Sequence, residues 1–165
     1  MRQFFTVVAF TLLTIGLFAG YSNYGIPQIE PAPPPVEEKL DLGSMTMDQF
    51  IALGDRVFNG KGTCTLCHNS LGRAPALATI TDAASKRLAD PRYKGDADTI
   101  ESYLTESLVK PSAFVVVGFG KKGTNDAESP MPDVSGGGIG LSEAEIAAVV
   151  AYLQDSSGGE ITVKI

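Results

Sequence analysis

Both cysteines and the single histidine of this chain fall within five consecutive residues, Cys64-Thr65-Leu66-Cys67-His68. A C-x-x-C-H pentad reads as an attachment site for a c-type haem: the two thiols add across porphyrin vinyl groups, and the neighbouring imidazole ligates the iron. Cysteines three apart on one helical turn point the same way, and the next residue swings beneath the ring plane. A chain carrying this motif must wrap a large planar apolar group, which constrains its fold more than any other feature of the sequence. Rival uses of the residues are weaker. A structural zinc site takes four Cys or His ligands, and only three are present. A thioredoxin-like redox pair needs a βαβ context, and none precedes the motif. A disulfide across so short a loop restrains little of the unfolded chain.

The remaining composition suits a prosthetic group at the centre. The 165 residues include 18 glycines and 10 prolines, enough to make one modest domain rich in loops. A net charge of −6 argues against nucleic acid or anionic membrane surfaces as partners.

No charged residue occurs from Gln3 to Ile29, and Phe4 to Tyr21 is an almost unbroken apolar run of 18 positions. That length is near the minimum for spanning a bilayer. A cleaved signal peptide is the rival, but its cleavage site wants small residues at alternate positions. Leu17-Phe18-Ala19 and Phe18-Ala19-Gly20 place bulky groups there. We expect a retained transmembrane anchor over 1–24 (or an uncleaved signal), with Arg2 holding the N-terminus inside. Gly16 and Gly20 form a G-x-x-x-G pair that either admits a partner helix or merely places two small residues near a helix end. A Pro-rich linker is expected over 25–43, since Pro27 to Val36 holds five prolines in ten residues. Such a run favours extended polyproline II and acts as a tether.

Apolar periodicity places helices at Met47 to Phe58, Thr81 to Leu88, Asp98 to Val109 and Glu143 to about Gln154. Asn59-Gly60 ends the first, Pro111 stops the third, and Ser142 with Glu145 makes a capping box for the last. The β-branched run Phe114 to Val117 has no visible pairing partner and is expected as coil. The fold class is therefore all-α, with a haem domain over 44–158 and a C-terminal tail over 159–165.

In this order of motifs, the stretch from Met47 to Leu153 resembles the class I c-type cytochromes, small monohaem electron-transfer proteins of membrane-anchored bacterial type. The resemblance implies a cytochrome c-like helical domain around one covalent haem c, held through Cys64 and Cys67. It implies that the first and last helices cross closely, with Gly54 and Phe58 meeting Tyr152. It also implies that the carbonyl of Pro75 accepts a hydrogen bond from the proximal His68, with Leu77 in the haem surroundings; Pro75 as a plain turn residue is the alternative. Ser129-Pro130-Met131-Pro132 resembles the family's distal-ligand loop. Met1 lies in the anchor, Met45 just precedes the first helix and Met47 opens it. The flanking prolines restrict the backbone around Met131, so that its thioether projects from an extended loop. His68 and Met131 are thus the expected axial ligands, with a space-filling Met131 as the alternative.

Such ligation raises the reduction potential and leaves iron without an open position. The expected function is a one-electron carrier of a bacterial respiratory chain, not an enzyme and without a small-molecule substrate. It would be single-pass in the cytoplasmic membrane, with the haem domain on the periplasmic, outer face. Its partners would be redox proteins or a membrane respiratory complex, of which it is alternatively a fixed subunit. A haem sensor or peroxidase-like enzyme is the remaining rival. Lys61, Arg73, Lys110, Lys121 and Lys122 fall in segments expected around the haem edge, either as a basic docking rim or as solvated cations.

Overall fold

The computed structural model describes residues 1–27 and 42–165; most of the expected Pro-rich linker lies outside the described residues. The chain divides into two compact units, Met1–Lys39 and Leu40–Ile165.

In the first unit, helix α1 (Arg2–Gly20) continues as a π-helical turn over Tyr21–Gly25. It runs for 24 residues, its most apolar 18-residue stretch has a mean hydropathy of 1.9, and none of it is buried, so by length and composition the helix fits a transmembrane anchor. At about 1.5 Å rise per residue it reaches about 36 Å, against a hydrocarbon core of roughly 30 Å. Three threonines in it satisfy their hydroxyls internally: Thr6, Thr11 and Thr14 donate to the carbonyls of Arg2, Val7 and Phe10, one turn back. Polar groups in an apolar medium need such partners.

The second unit is all-helical. Helices α2 (Met47–Asn59), α3 (Ile80–Leu88), α4 (Ile100–Val109) and α5 (Glu143–Ser156) surround one core, and no strand occurs among the described residues. Three of the four start on a reciprocal capping box. Ser142 with Glu145 caps α5; Thr46 with Gln49 does the same for α2, and Thr99 with Ser102 for α4. Thr99 is extended, which is why α4 starts at Ile100 and not at Asp98.

Helices α2 and α5 pack directly on one another. Their approach is set by Gly54. A Cβ at that position would lie 2.0 Å from the Ala148 carbonyl oxygen and 2.8 Å from the Tyr152 Cβ. Ala148 and Ala151 on the facing helix are fully buried. Beside this contact the Phe58 and Tyr152 rings lie 5.4 Å apart. The expected crossing residues are therefore the observed ones, and the propensity cost of a mid-helix glycine (~1 kcal/mol relative to Ala) is offset by backbone contact.

Residues 159–165, expected as a tail beyond the domain, instead pack on it. The fully buried Gln154 donates to Thr162 Oγ1 at 2.9 Å and accepts from Thr162 N at 3.1 Å. Thr162 Oγ1 in turn donates to Glu101 on α4 at 2.7 Å, and Val163 is buried in the core. The chain end is a strap across α4 and α5.

A second polar cluster ties α4 to the loop before it. Glu106, itself buried, accepts from the Tyr93 hydroxyl and, at 2.9 Å, from Asp96 N. Ala97 N donates to the same hydroxyl at 2.8 Å. Burial, together with the Glu106 carboxylate, pushes the Tyr93 phenol up to about 12. The Phe114–Val117 run is coil, as expected, with the Arg92 guanidinium 5.0 Å above the Phe114 ring.

Candidate functional site: a cavity around the Cys-x-x-Cys-His turn

Between α2 and the pentad the chain turns sharply. Gly62 N donates to the Val57 carbonyl at 2.7 Å, and a Cβ at Gly62 would sit 2.9 Å from that oxygen and 3.1 Å from Cys64 Sγ. Thr63 follows in the left-handed region at φ 52°, an uncommon conformation for a β-branched residue. The strained corner delivers Cys64–Leu66 as a single 3-10 turn. Cys67 N and His68 N both donate to the Cys64 carbonyl, at 3.2 and 2.9 Å, so the five residues form one compact knuckle. Asn69 closes it: its side-chain amide donates to the Thr65 and Leu66 carbonyls at 2.9 and 3.2 Å, and its side-chain oxygen accepts from Leu71 N at 2.9 Å. Asparagine fits this role because its amide can satisfy donors and acceptors of a turn at once.

Both thiols are free. Burial pushes the Cys64 thiol up from its ordinary value, while Cys67 is exposed. The Nδ1 of His68 lies 2.9 Å from the Pro75 carbonyl oxygen. A carbonyl only accepts, so Nδ1 carries a proton, and in the neutral ring Nε2 is left with its lone pair.

The knuckle opens onto an apolar cavity of about 370 Å³. Cys64, Cys67, His68, Pro75, Leu77 and Met131 all line it, so the structure brings every expected site residue to one place. Helices α3, α4 and α5 supply apolar walls through Ile80, Leu104 and Leu153, among others. Among the described residues no carboxylate lines the cavity, and its only cations are Arg73 and Arg87.

The Met131 loop is pinned on both sides. Met131 N donates to Ser129 Oγ at 3.1 Å, and Ser129 N donates to Ser112 Oγ at 3.1 Å. Beyond it, Val134 N donates to the Leu108 carbonyl on α4 at 3.1 Å, and Leu141 N to the Val134 carbonyl at 2.8 Å. Asn69, Arg87, Ser112 and Ser129 were not legible as site residues in the sequence. Ser129 alone carries a signal, a Ser-Pro turn start two residues before the methionine.

The cations expected at a docking rim are largely engaged. Lys61 pairs with Glu145 at the start of α5 at 2.8 Å, Lys110 with Asp96 at 3.5 Å and Lys121 with Glu128 at 3.5 Å. Burial pushes the Glu145 carboxyl up, but Lys61 and Ser142 outweigh it and hold the group below its ordinary value. The Lys61 pair fastens the corner that leads into the knuckle to α5.

A covalently held, planar, apolar prosthetic group with metal at its centre fits this donor set: two thiols on one turn, an imidazole with a free Nε2, and a thioether, all facing one apolar cavity. The four-helix fold and this cavity define a haem-binding electron-transfer domain. The chain belongs to the cytochrome c family: residues 51–157 match the family model described as Cytochrome c. No curated protein matches it. Membership makes the chain a haem-based electron carrier, with haem c implied and Cys64 and Cys67 present for its attachment.

Proposed function

We propose that the chain is a membrane-tethered one-electron carrier of a bacterial respiratory chain, with one haem c attached through Cys64 and Cys67, His68 as proximal ligand and Met131 as distal ligand. The observation that carries this reading is the gathering of both thiols, one imidazole and one thioether on a single apolar cavity that no carboxylate enters among the described residues. A bound haem supplies a one-electron iron couple and no further chemistry is required of the protein.

The residues have distinct tasks. The Pro75 carbonyl holds the His68 ring in one tautomer and orientation, and raises the basicity of Nε2. Met131 offers a soft sulfur that favours the ferrous state. Arg73 and Arg87 are placed to pair with carboxylate groups of the ligand at the cavity. Leu77, with its apolar neighbours, excludes water. An iron held by both His68 and Met131 suits electron relay, which needs little rearrangement, and not substrate turnover. The apolar α1 and Arg2 at its start support a tether that leaves the domain on the outer face of the cytoplasmic membrane. Partners are then redox proteins or a respiratory complex at that membrane.

Oxidised and reduced visible spectra of the wild type beside Met131→Ala test the reading. The expected result is a low-spin c-type spectrum with a weak sulfur-to-iron band that the variant lacks. A high-spin wild type would instead point to ligand binding or catalysis, and absence of covalent haem would return Cys64 and Cys67 to thiol chemistry.

A further inference from the structure

The stretch from Val115 to Glu128 carries no motif in the sequence, yet its main chain is tied by hydrogen bonds along its length. Its organiser is Asp126. One carboxylate oxygen accepts from Gly118 N at 2.9 Å, and the other accepts from Gly120 N at 2.9 Å. Those two N–H groups flank Phe119, whose own N–H donates to the Val116 carbonyl at 3.0 Å. Phe119 and Val116 both line the cavity that Met131 lines. The two main-chain donors hold the Asp126 carboxyl below its ordinary value, so the ionised form is the one that clamps. Arg92, in the turn after α3, adds a smaller favourable charge.

The loop adopts this shape at a conformational cost. Asn125 and Asp126 stand consecutively in the left-handed region, at φ 53° and 59°, where residues with a Cβ are uncommon. A Cβ at Gly120 would come within 2.5 Å of Asp126 Cα, so only glycine admits the contact. The base is closed by Lys121 N donating to the Glu128 carbonyl at 2.7 Å. From Glu128 the chain passes directly into Ser129, whose Oγ receives Met131 N. The clamp therefore fixes both ends of one wall: Phe119 at one side and the methionine loop at the other.

We propose that Asp126 is a positioning residue for Met131: by locking the 118–128 loop against the cavity it resists departure of the thioether from its ligand position. The inference rests on the reading of Met131 as distal ligand. Its measurable consequence is the ease of ligand exchange, in which an incoming imidazole nitrogen replaces the Met131 sulfur on ferric iron with no change in oxidation state.

The test is imidazole association with the ferric holoprotein, followed by loss of the sulfur-to-iron band, for wild type, Asp126→Ala, Asp126→Asn and Gly120→Ala. Removing two charge-assisted hydrogen bonds eases local opening, so Asp126→Ala should bind imidazole at least about tenfold faster. Asp126→Asn keeps one acceptor oxygen and should fall between the two. Gly120→Ala keeps the carboxylate but forces the loop apart, and should also accelerate exchange. If Asp126→Ala does not fold, the other two variants decide. Rates within about twofold of wild type in folded variants that retain the band would overturn the inference alone. A wild type without the band would overturn the Met131 reading and this inference with it.

Discussion

At the scale of single residues, two polar side chains, the half-buried Tyr93 and the buried Gln154, hold the domain together in ways that a pH titration and a substitution will separate. Tyr93 has its phenol raised from 10.0 to about 12 by burial and by Glu106. The neutral phenol is the favoured form in the folded state, so its contribution is complete below pH 10 and is lost as pH rises towards 12. Denaturant melts across that window should show stability falling for the wild type, with a shallower fall in Tyr93→Phe, which has nothing to ionise there. The slope is the informative quantity, because the variant also leaves Ala97 N and Glu106 with fewer partners at every pH. Gln154 offers the second case. It is fully buried and meets Thr162 with both ends of its amide. Gln154→Leu keeps the volume and strands the Thr162 N–H, so equilibrium unfolding should show a loss of about 1–3 kcal/mol. An unchanged midpoint would mean that water satisfies the strap as well as Gln154 does.

At the scale of helices and loops, the close crossing of α2 and α5 gives the sharpest expectation. Gly54→Ala places a methyl 2.0 Å from a main-chain oxygen that cannot rotate away. Overpacking of a core ordinarily costs about 1–3 kcal/mol, and a backbone neighbour puts this site at or above the upper end. A chemical denaturation curve with less than half that loss would mean that the helices slide apart cheaply. This crossing was legible in the sequence because it rests on a periodic stripe with a glycine set in it. The helix spans were legible for the same reason, and so was the Ser142 box, whose Glu145 follows the standard spacing. The Thr99 box escaped because its third helical residue is Ser102, whose hydroxyl substitutes for the usual Glu or Gln. In the site, the pentad, Pro75, Leu77 and the methionine loop stood out as motifs. Asp126 did not, because its role depends on two N–H groups six and eight residues away that only a folded loop brings to it. The terminal strap was hidden likewise, since a Gln–Thr pairing across eight residues leaves no periodic trace.

At the scale of the whole molecule, the described residues fall into an apolar helix with no buried residue and a domain with its own core. Every residue of that core lies between Met45 and Val163. Residues 42–165, exported behind a cleavable leader, should therefore appear in the soluble periplasmic fraction with the wild-type spectrum, while the full chain stays with the membranes. Loss of the spectrum on truncation would show that the two units depend on one another. The haem cavity makes the opposite demand. Without its occupant, an apolar cavity of about 370 Å³ would leave side chains of all four helices, among them Phe58, Ile80, Leu104 and Leu153, against water. Whole domains of this size are stable by only about 5–15 kcal/mol, so the prosthetic group is as much a part of the core as any helix. Replacing both attachment residues, Cys64→Ala with Cys67→Ala, should then do more than abolish covalent haem. The purified chain should keep much of its helical far-ultraviolet signal and lose its near-ultraviolet signal and its cooperative melt, as expected where packing fails but helices persist. A sharp thermal transition in that variant would mean that the four helices close on themselves, and that Phe119, Leu104 and their neighbours form a core without the group they line.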